Sequence, residues 1–198
     1  MGAPVIDATV GGANANSYLT LAEAQAYFDT RLPVAGWDDA DDQNVLLIMA
    51  TRTLDRLLTP YKTLFTMNGR NYYRVRPQWT GAAATQTQRL AWPRTGMFDA
   101  NGFAIASNVI PEDLKFATAE FAGQLGNADR TLDNDVIVQG LKSVKAGSVA
   151  LTFGDGIMPQ VIPDAVWNLL VNSWMTEELY EPAQAAIFDV VSNDARNM

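Results

Sequence analysis

Four aspartates stand close together in the chain, and clustered carboxylates are the side chains with which proteins bind calcium or magnesium. They are Asp38, Asp39, Asp41 and Asp42. An EF-hand loop requires glycine at its sixth position, but counting from Asp39 that position is Asn44, and the ninth and twelfth are apolar. We therefore interpret the cluster as acidic residues that favour the dipole at a helix N-terminus, and we predict no metal site.

The chemistry open to this chain is narrow, because its 198 residues include no cysteine and no histidine. Thiolate nucleophiles, imidazole bases and the ligands that zinc prefers are absent. Paired carboxylates remain available for acid–base catalysis, yet no spacing singles out one pair among the 22 acidic residues. Ser143 and Lys145 lie close together without an oxyanion motif, and no phosphate-binding loop occurs. We predict that the protein is not an enzyme and uses no cofactor.

Basic residues are concentrated in the middle of an acidic chain. Residues 50–96 contain eight basic residues and one acid, a net charge of +7, whereas the remainder carries −15 and the whole chain −8. Such a segment suggests either a surface that faces phosphates or electrostatic pairing between copies of the protein. The acidic remainder argues against a general nucleic-acid binder, whose domain is normally basic overall.

Arginines of this segment could bind DNA phosphates through charge-assisted hydrogen bonds, or pair with acids of a neighbouring subunit. Interleaved with them are Tyr72, Tyr73, Trp79 and Trp92. These aromatic residues could stack on single-stranded bases, but packing in a core or anchoring a protein interface is the commoner role. We therefore predict an interface with other subunits or a protein partner. Its residues are Arg52, Arg56, Arg70, Arg74, Arg76, Trp79, Arg89, Trp92, Arg94, Trp174, Phe188 and Val191.

Helical spacing of apolar residues predicts four helices that would position these side chains. They cover residues 21–31, with Ser17 or Thr20 as N-cap, then 45–60, 111–126 and a segment that begins at residue 163. The second has an apolar stripe of Leu47, Ala50, Leu54, Leu57 and Leu58, and the fourth carries Val166, Leu170 and Trp174 on one side. No stretch reaches the roughly 18 apolar residues that a membrane span needs.

The other segments lack helical periodicity. Residues 60–110 predict a long loop with short strands or turns, which we expect to pack against neighbouring subunits. Two β-rich runs at residues 136–153 predict a β-hairpin or two edge strands around a turn at 142–147. Residues 177–198 are acidic and predict an extended C-terminal arm. The predicted fold class is mainly α: about four helices in a small bundle with a β-hairpin, a long loop and this arm.

Several motifs in order resemble the head–tail connector (adaptor, or head-completion) proteins of tailed bacteriophages, roughly over positions 14–175. They are Asn16-Ser-Tyr18 with Glu23-Ala24, Arg89-Leu-Ala-Trp-Pro-Arg94, Ile110-Pro-Glu-Asp-Leu114, Gly147-Ser-Val-Ala-Leu151 and Ile162-Pro-Asp-Ala-Val166. Related sequences carry the label DnaT-like single-stranded DNA-binding, which gives the alternative function.

The connector resemblance implies a helical subunit in a ring beneath the portal vertex, with the portal's twelve-fold symmetry as a dodecamer. Such a ring extends the channel for double-stranded DNA and presents a platform for the next tail component. The implied partners are further copies of the chain, the portal protein, a tail-completion or nozzle protein and the DNA in the channel. The implied location is the head–tail junction of the virion, after synthesis in the bacterial cytoplasm. We expect the C-terminal arm to dock on the portal through Phe188 and Val191.

Overall fold

In a computed structural model of the chain, helices are the main regular structure among the residues that the structure describes. Backbone and side chains are described for residues 4–57, 78–131 and 161–175, and the backbone for 63–67, 70–74, 143–146, 149–152, 176 and 179–180. The helices are α1 Leu21–Phe28, α2 Ala35–Asp38, α3 Gln43–Asp55, α4 Glu112–Asn127 and α5 Asp164–Trp167, with a 3-10 helix at Asn172–Trp174. The fold is mainly α, a small helical bundle, which confirms the predicted fold class.

Helix α4 lies at the centre of the bundle, where it contacts α1, α2, α3 and α5. Its side chains Leu114, Ala117 and Phe121 are fully buried, as the sequence pattern predicts. Helix α2 approaches so closely that a Cβ atom on Gly126 would collide with the carbonyl oxygen of Gly36. A residue without a side chain is therefore needed at position 126.

Capping groups fix where the helices begin. Thr20 and Glu23 form a capping box at the start of α1, each accepting a backbone N–H of the other. Asp42 caps α3 by accepting the amides of Asn44 and Val45 at 3.0 and 3.3 Å. This confirms the interpretation of the acidic cluster for Asp42.

The first two of the predicted helices, which correspond to α1 and α3, end earlier than the sequence predicts. Helix α1 stops at Phe28 and α3 at Asp55, and Leu57 has a φ of 44°, a left-handed conformation that cannot continue an α-helix. Leu57 is nevertheless buried together with Leu47, Ala50 and Leu54. The apolar stripe is thus confirmed for these residues, and Leu58 lies outside the described residues.

The predicted fourth helix is wrong in length. Helix α5 has four residues, and a turn then leads to the 3-10 helix. Val166, Leu170 and Trp174 are all buried even so. Turns and 3-10 helices return the chain to the same side every three residues or so, so a four-residue spacing indicates the buried side without proving one continuous helix.

Short antiparallel strands form four small sheets among the described residues. The strands are β1 Thr63–Met67, β2 Arg70–Arg74, β3 Gln78–Trp79, β4 Ala82–Ala83, β5 Arg94–Thr95, β6 Ser143–Ala146, β7 Val149–Thr152, β8 Met175–Thr176 and β9 Leu179–Tyr180. Their orders are β1-β2-β9, β3-β8, β4-β5 and β6-β7. Within the part that the structure describes, no helix has the length and apolar character to cross a membrane.

The predicted C-terminal hairpin is present as β6 and β7, whose register runs from Ser143↔Thr152 to Ala146↔Val149. The predicted turn at 142–147 is wrong, because β6 occupies most of it. Pairing of Ser143–Ala146 with Val149–Thr152 satisfies backbone groups that a turn would leave without partners. The apolar run at 136–141 lies outside the described residues.

Candidate functional site

Three tryptophans that are distant in the sequence form one cluster. The ring centroids of Trp92 and Trp174 are 5.0 Å apart, and those of Trp79 and Trp92 are 5.7 Å apart in an edge-to-face arrangement. Trp92 and Trp174 are each 1% exposed, whereas Trp79 is partly buried. The structure thus places Trp92 and Trp174 in the core of the chain, and not on the surface where base stacking or a subunit contact needs them.

Arg94 is bonded to the backbone beside this tryptophan cluster. Its Nε donates to the carbonyl oxygen of Thr80 at 2.6 Å, Nη1 to that of Ala91 at 3.0 Å and Nη2 to that of Gly81 at 3.1 Å. Burial lowers the pKa of Arg94, and the charge of Asp55 acts in the opposite direction. Most N–H groups of the Arg94 guanidinium already donate to backbone carbonyl groups, so Arg94 holds two loop segments together. Few donors are left that could bind a phosphate.

Asp55, at the end of α3, stabilises the same region. Its Oδ1 accepts hydrogen bonds from the hydroxyl of Tyr18 and the amide of Ala91, while its backbone oxygen accepts from Trp79 Nε1 at 3.0 Å. Burial, and then the charge of Asp55, raise the pKa of Tyr18 well above its ordinary value. The sequence predicts no role for Asp55, since its partners Tyr18, Trp79 and Ala91 lie far away in the sequence and no spacing identifies them.

Five of the 14 basic residues of the chain lie on the segment between Asp55 and Trp79. Residues 56–78, which we call the basic hairpin, contain Arg56, Lys62, Arg70, Arg74 and Arg76 and no acidic residue. The hydrogen bond from Trp79 to Asp55 joins the residues that flank its two ends. Strands β1 and β2 pair within it in a register that runs from Thr63↔Arg74 to Met67↔Arg70.

The other predicted interface residues lie at varied places. Arg52 is exposed on α3, one turn before the exposed Arg56, and Arg89 is exposed, with Nη1 3.4 Å from the carbonyl oxygen of Asn14. Arg70 and Arg74 belong to β2, whose backbone is described. Arg76, Phe188 and Val191 fall outside the described residues. Arg52 therefore lies one helical turn before the basic hairpin, and Arg56 is the first residue of the hairpin. Arg94 instead bonds to backbone carbonyl groups, and Trp92 and Trp174 belong to the core.

The rest of the described surface is acidic. Residues with described side chains include 14 acidic and 7 basic residues. Arg31 forms an ion pair with Glu120, and Lys115 forms one with Glu23. Among the described residues no group of three carboxylates is arranged to hold a metal ion. A polyanion would thus be repelled by most of this surface and attracted to the basic hairpin.

The fold and this charge distribution define a small helical protein with one basic hairpin. A family model described as "Putative DnaT-like ssDNA binding protein" matches residues 3–63 and 59–179. The chain belongs to this family, which confirms the DnaT-like part of the resemblance. Its description does not mention head–tail connectors, so that part of the resemblance stays a prediction. No curated protein and no solved structure matches the chain significantly.

Proposed function

We propose that the chain binds single-stranded DNA through the basic hairpin. The observation that carries this proposal is the segregation of five basic residues, without one acid, on a segment whose ends are held together at Asp55 and Trp79. The description of the family supports the proposal. Guanidinium groups form charge-assisted hydrogen bonds with phosphates and so provide affinity without sequence preference.

The arrangement along β2 suits this task. Alternate residues of a strand lie on the same face of its sheet, so Arg70, Tyr72 and Arg74 share one face. A basic residue on either side of an aromatic residue allows phosphates to pair while a base stacks between them. Because Trp92 and Trp174 belong to the core, stacking falls to Tyr72, which shares the face of the two arginines.

Direct titration tests the proposal. A fluorescent single-stranded oligonucleotide is titrated with the full chain over a range of salt concentrations, and anisotropy gives the Kd. If all five basic residues contact phosphates, the slope of log K against log salt should be about −3.5. Undetectable binding at low salt, or binding that salt does not weaken, would contradict the proposal.

A double variant locates the site. Arg70→Gln with Arg74→Gln should weaken binding about tenfold at low salt and reduce the salt slope by about 1.4. The matched control is Arg130→Gln with Lys145→Gln, which removes the same charge outside the basic hairpin and should change the Kd less than twofold. Equal losses in both variants would show that only net charge matters.

A second candidate function is that of a head–tail connector in a tailed phage. The division into an acidic body and a basic hairpin favours it, since such surfaces complement each other in head-to-tail contacts that close into a ring. Its partners would be further copies of the chain, the portal protein and a tail component, at the head–tail junction of the virion. Electron microscopy of the protein mixed with purified portal tests this: a ring at the narrow end is expected, and its absence would count against the connector function.

A further inference from the structure

The basic hairpin has a neighbour from the opposite end of the sequence. Strand β9 pairs antiparallel with β2, with Tyr73 opposite Tyr180 and Arg74 opposite Leu179. Strand β2 thus has β1 on one side and β9 on the other. The proposed DNA-binding strand is therefore in contact with a segment of its own chain.

This neighbouring segment is acidic. Residues 177–198 contain five acidic residues and one arginine. Three of the acids, Glu177, Glu178 and Glu181, lie within two residues of the paired positions 179 and 180. Facing residues of adjacent strands are only about 5 Å apart, and Leu179, which follows Glu177 and Glu178 in the sequence, faces Arg74. Carboxylates and phosphates are recognised by the same guanidinium chemistry.

Strand β9 is at the edge of its sheet. Among the described residues β2 lies between β1 and β9, so β9 has a strand beside it on one side alone. Edges of a structure open at low free-energy cost. A polyanion with several phosphates can therefore compete with β9 and the carboxylates around it.

We propose that β9, together with the acidic residues next to it in the sequence, competes with single-stranded DNA for β2 of the basic hairpin. This inference rests on the proposed DNA binding and adds its regulation. DNA binding then requires displacement of the segment, so the measured affinity is lower than the hairpin alone would give. The chain thereby favours a long single strand, which supplies many phosphates at once, over small anions.

Charge-neutral variants of the full chain test this competition. Glu177→Gln, Glu178→Gln and Glu181→Gln are combined, and the Kd for the oligonucleotide is compared with that of the unmodified protein. The matched control combines Asp39→Asn, Asp41→Asn and Glu112→Gln, three exposed acids outside the hairpin and its neighbour. We expect about tenfold tighter binding for the first variant and less than a twofold change for the control.

The outcomes separate this inference from the proposed function. Equal tightening by both triple variants, or no tightening by either, would overturn the competition while leaving DNA binding in place. No binding by any of the three proteins at low salt would overturn DNA binding and the competition together. Hydrogen exchange gives a second readout: the backbone amides of Leu179 and Tyr180 should lose protection when the oligonucleotide is added. Unchanged protection at saturating DNA would contradict displacement.

Discussion

The tryptophan cluster with Arg94 and the basic hairpin contain the same residue types, arginine and large aromatics, yet the structure uses them differently. Arg94 donates to backbone carbonyls, and Trp92 and Trp174 are buried. The basic hairpin has five cations and no acid in its own sequence to pair with them. Composition alone therefore does not distinguish an arginine that holds loops together from one that can bind phosphate. What distinguishes Arg94 is that backbone carbonyl groups already accept hydrogen bonds from its Nε, Nη1 and Nη2.

The largest effect is expected from truncating the cluster. Trp174→Ala removes a ring that is 1% exposed and in contact with Trp92, so the free energy of unfolding should fall by about 4 kcal/mol. Urea denaturation measures this loss. Phe103→Ala is the control, because that ring is 71% exposed and its loss should change stability by about 0.5 kcal/mol or less. A small loss of stability for Trp174→Ala, accompanied by lost DNA binding, would place Trp174 in the DNA interface and not in the core.

Replacing Arg94 should have the next largest effect on the free energy of unfolding. Arg94→Gln cannot reach the carbonyl groups of Thr80, Ala91 and Gly81 together, and partly buried carbonyls without partners cost about 3 kcal/mol in total. The measurement is again urea denaturation, with DNA affinity determined on the same sample at a concentration of denaturant well below unfolding. Stability should fall while the Kd of the folded protein stays within about twofold. A stable variant with weakened DNA binding would place Arg94 in the DNA interface.

A smaller, pH-dependent effect is expected at Tyr18. Tyr18→Phe loses the hydrogen bond to Asp55 and should cost about 1.5 kcal/mol near neutral pH. The pKa of Tyr18 is raised in the folded chain by burial and by Asp55, so the stability it contributes is fully present below about pH 10 and is lost as the pH rises further. Thermal unfolding from pH 8 to 11 should show this decline in the unmodified protein and a flatter profile in the variant. If the unmodified protein and Tyr18→Phe lose stability in parallel as the pH rises, Tyr18 is not the source of the decline.

Apolar spacing and capping residues predicted much of the bundle from the sequence. The starts of α1 and α4, and the buried side of α3, follow from local patterns that one helix satisfies by itself. Helix α2 was not predicted, because Gly36 is unfavourable inside a helix and four residues are too few to show a helical period. In the structure this glycine belongs to the close contact with Gly126. Contacts between distant residues decide such cases, and a single sequence does not reveal them.

The candidate site was also predicted only in part from the sequence. The accumulation of basic residues in the middle of the chain is visible in the sequence, so the hairpin could be predicted as a charged surface. The roles of Arg94 and Asp55 could not, since each depends on partners brought together by folding. Likewise, Trp79, Trp92 and Trp174 have no sequence spacing that distinguishes a core cluster from a stacking platform. Burial settles this for Trp92 and Trp174.

The smallest effect tests how far the phosphate-binding surface extends beyond the basic hairpin. Arg52 is exposed on α3 one turn before Arg56, so a strand bound to the hairpin would pass close to it. Arg52→Gln should therefore weaken DNA binding about twofold to threefold and reduce the salt slope by about 0.7, which corresponds to one phosphate contact. Stability should stay within about 0.5 kcal/mol, because an exposed arginine contributes little to folding. Arg130→Gln, which removes an exposed charge far away in the sequence, should leave the salt slope unchanged. If Arg52→Gln also leaves the salt slope unchanged, the DNA interface ends at the basic hairpin. The boundary between the acidic body and the DNA-binding surface then coincides with the hydrogen bond between Asp55 and Trp79.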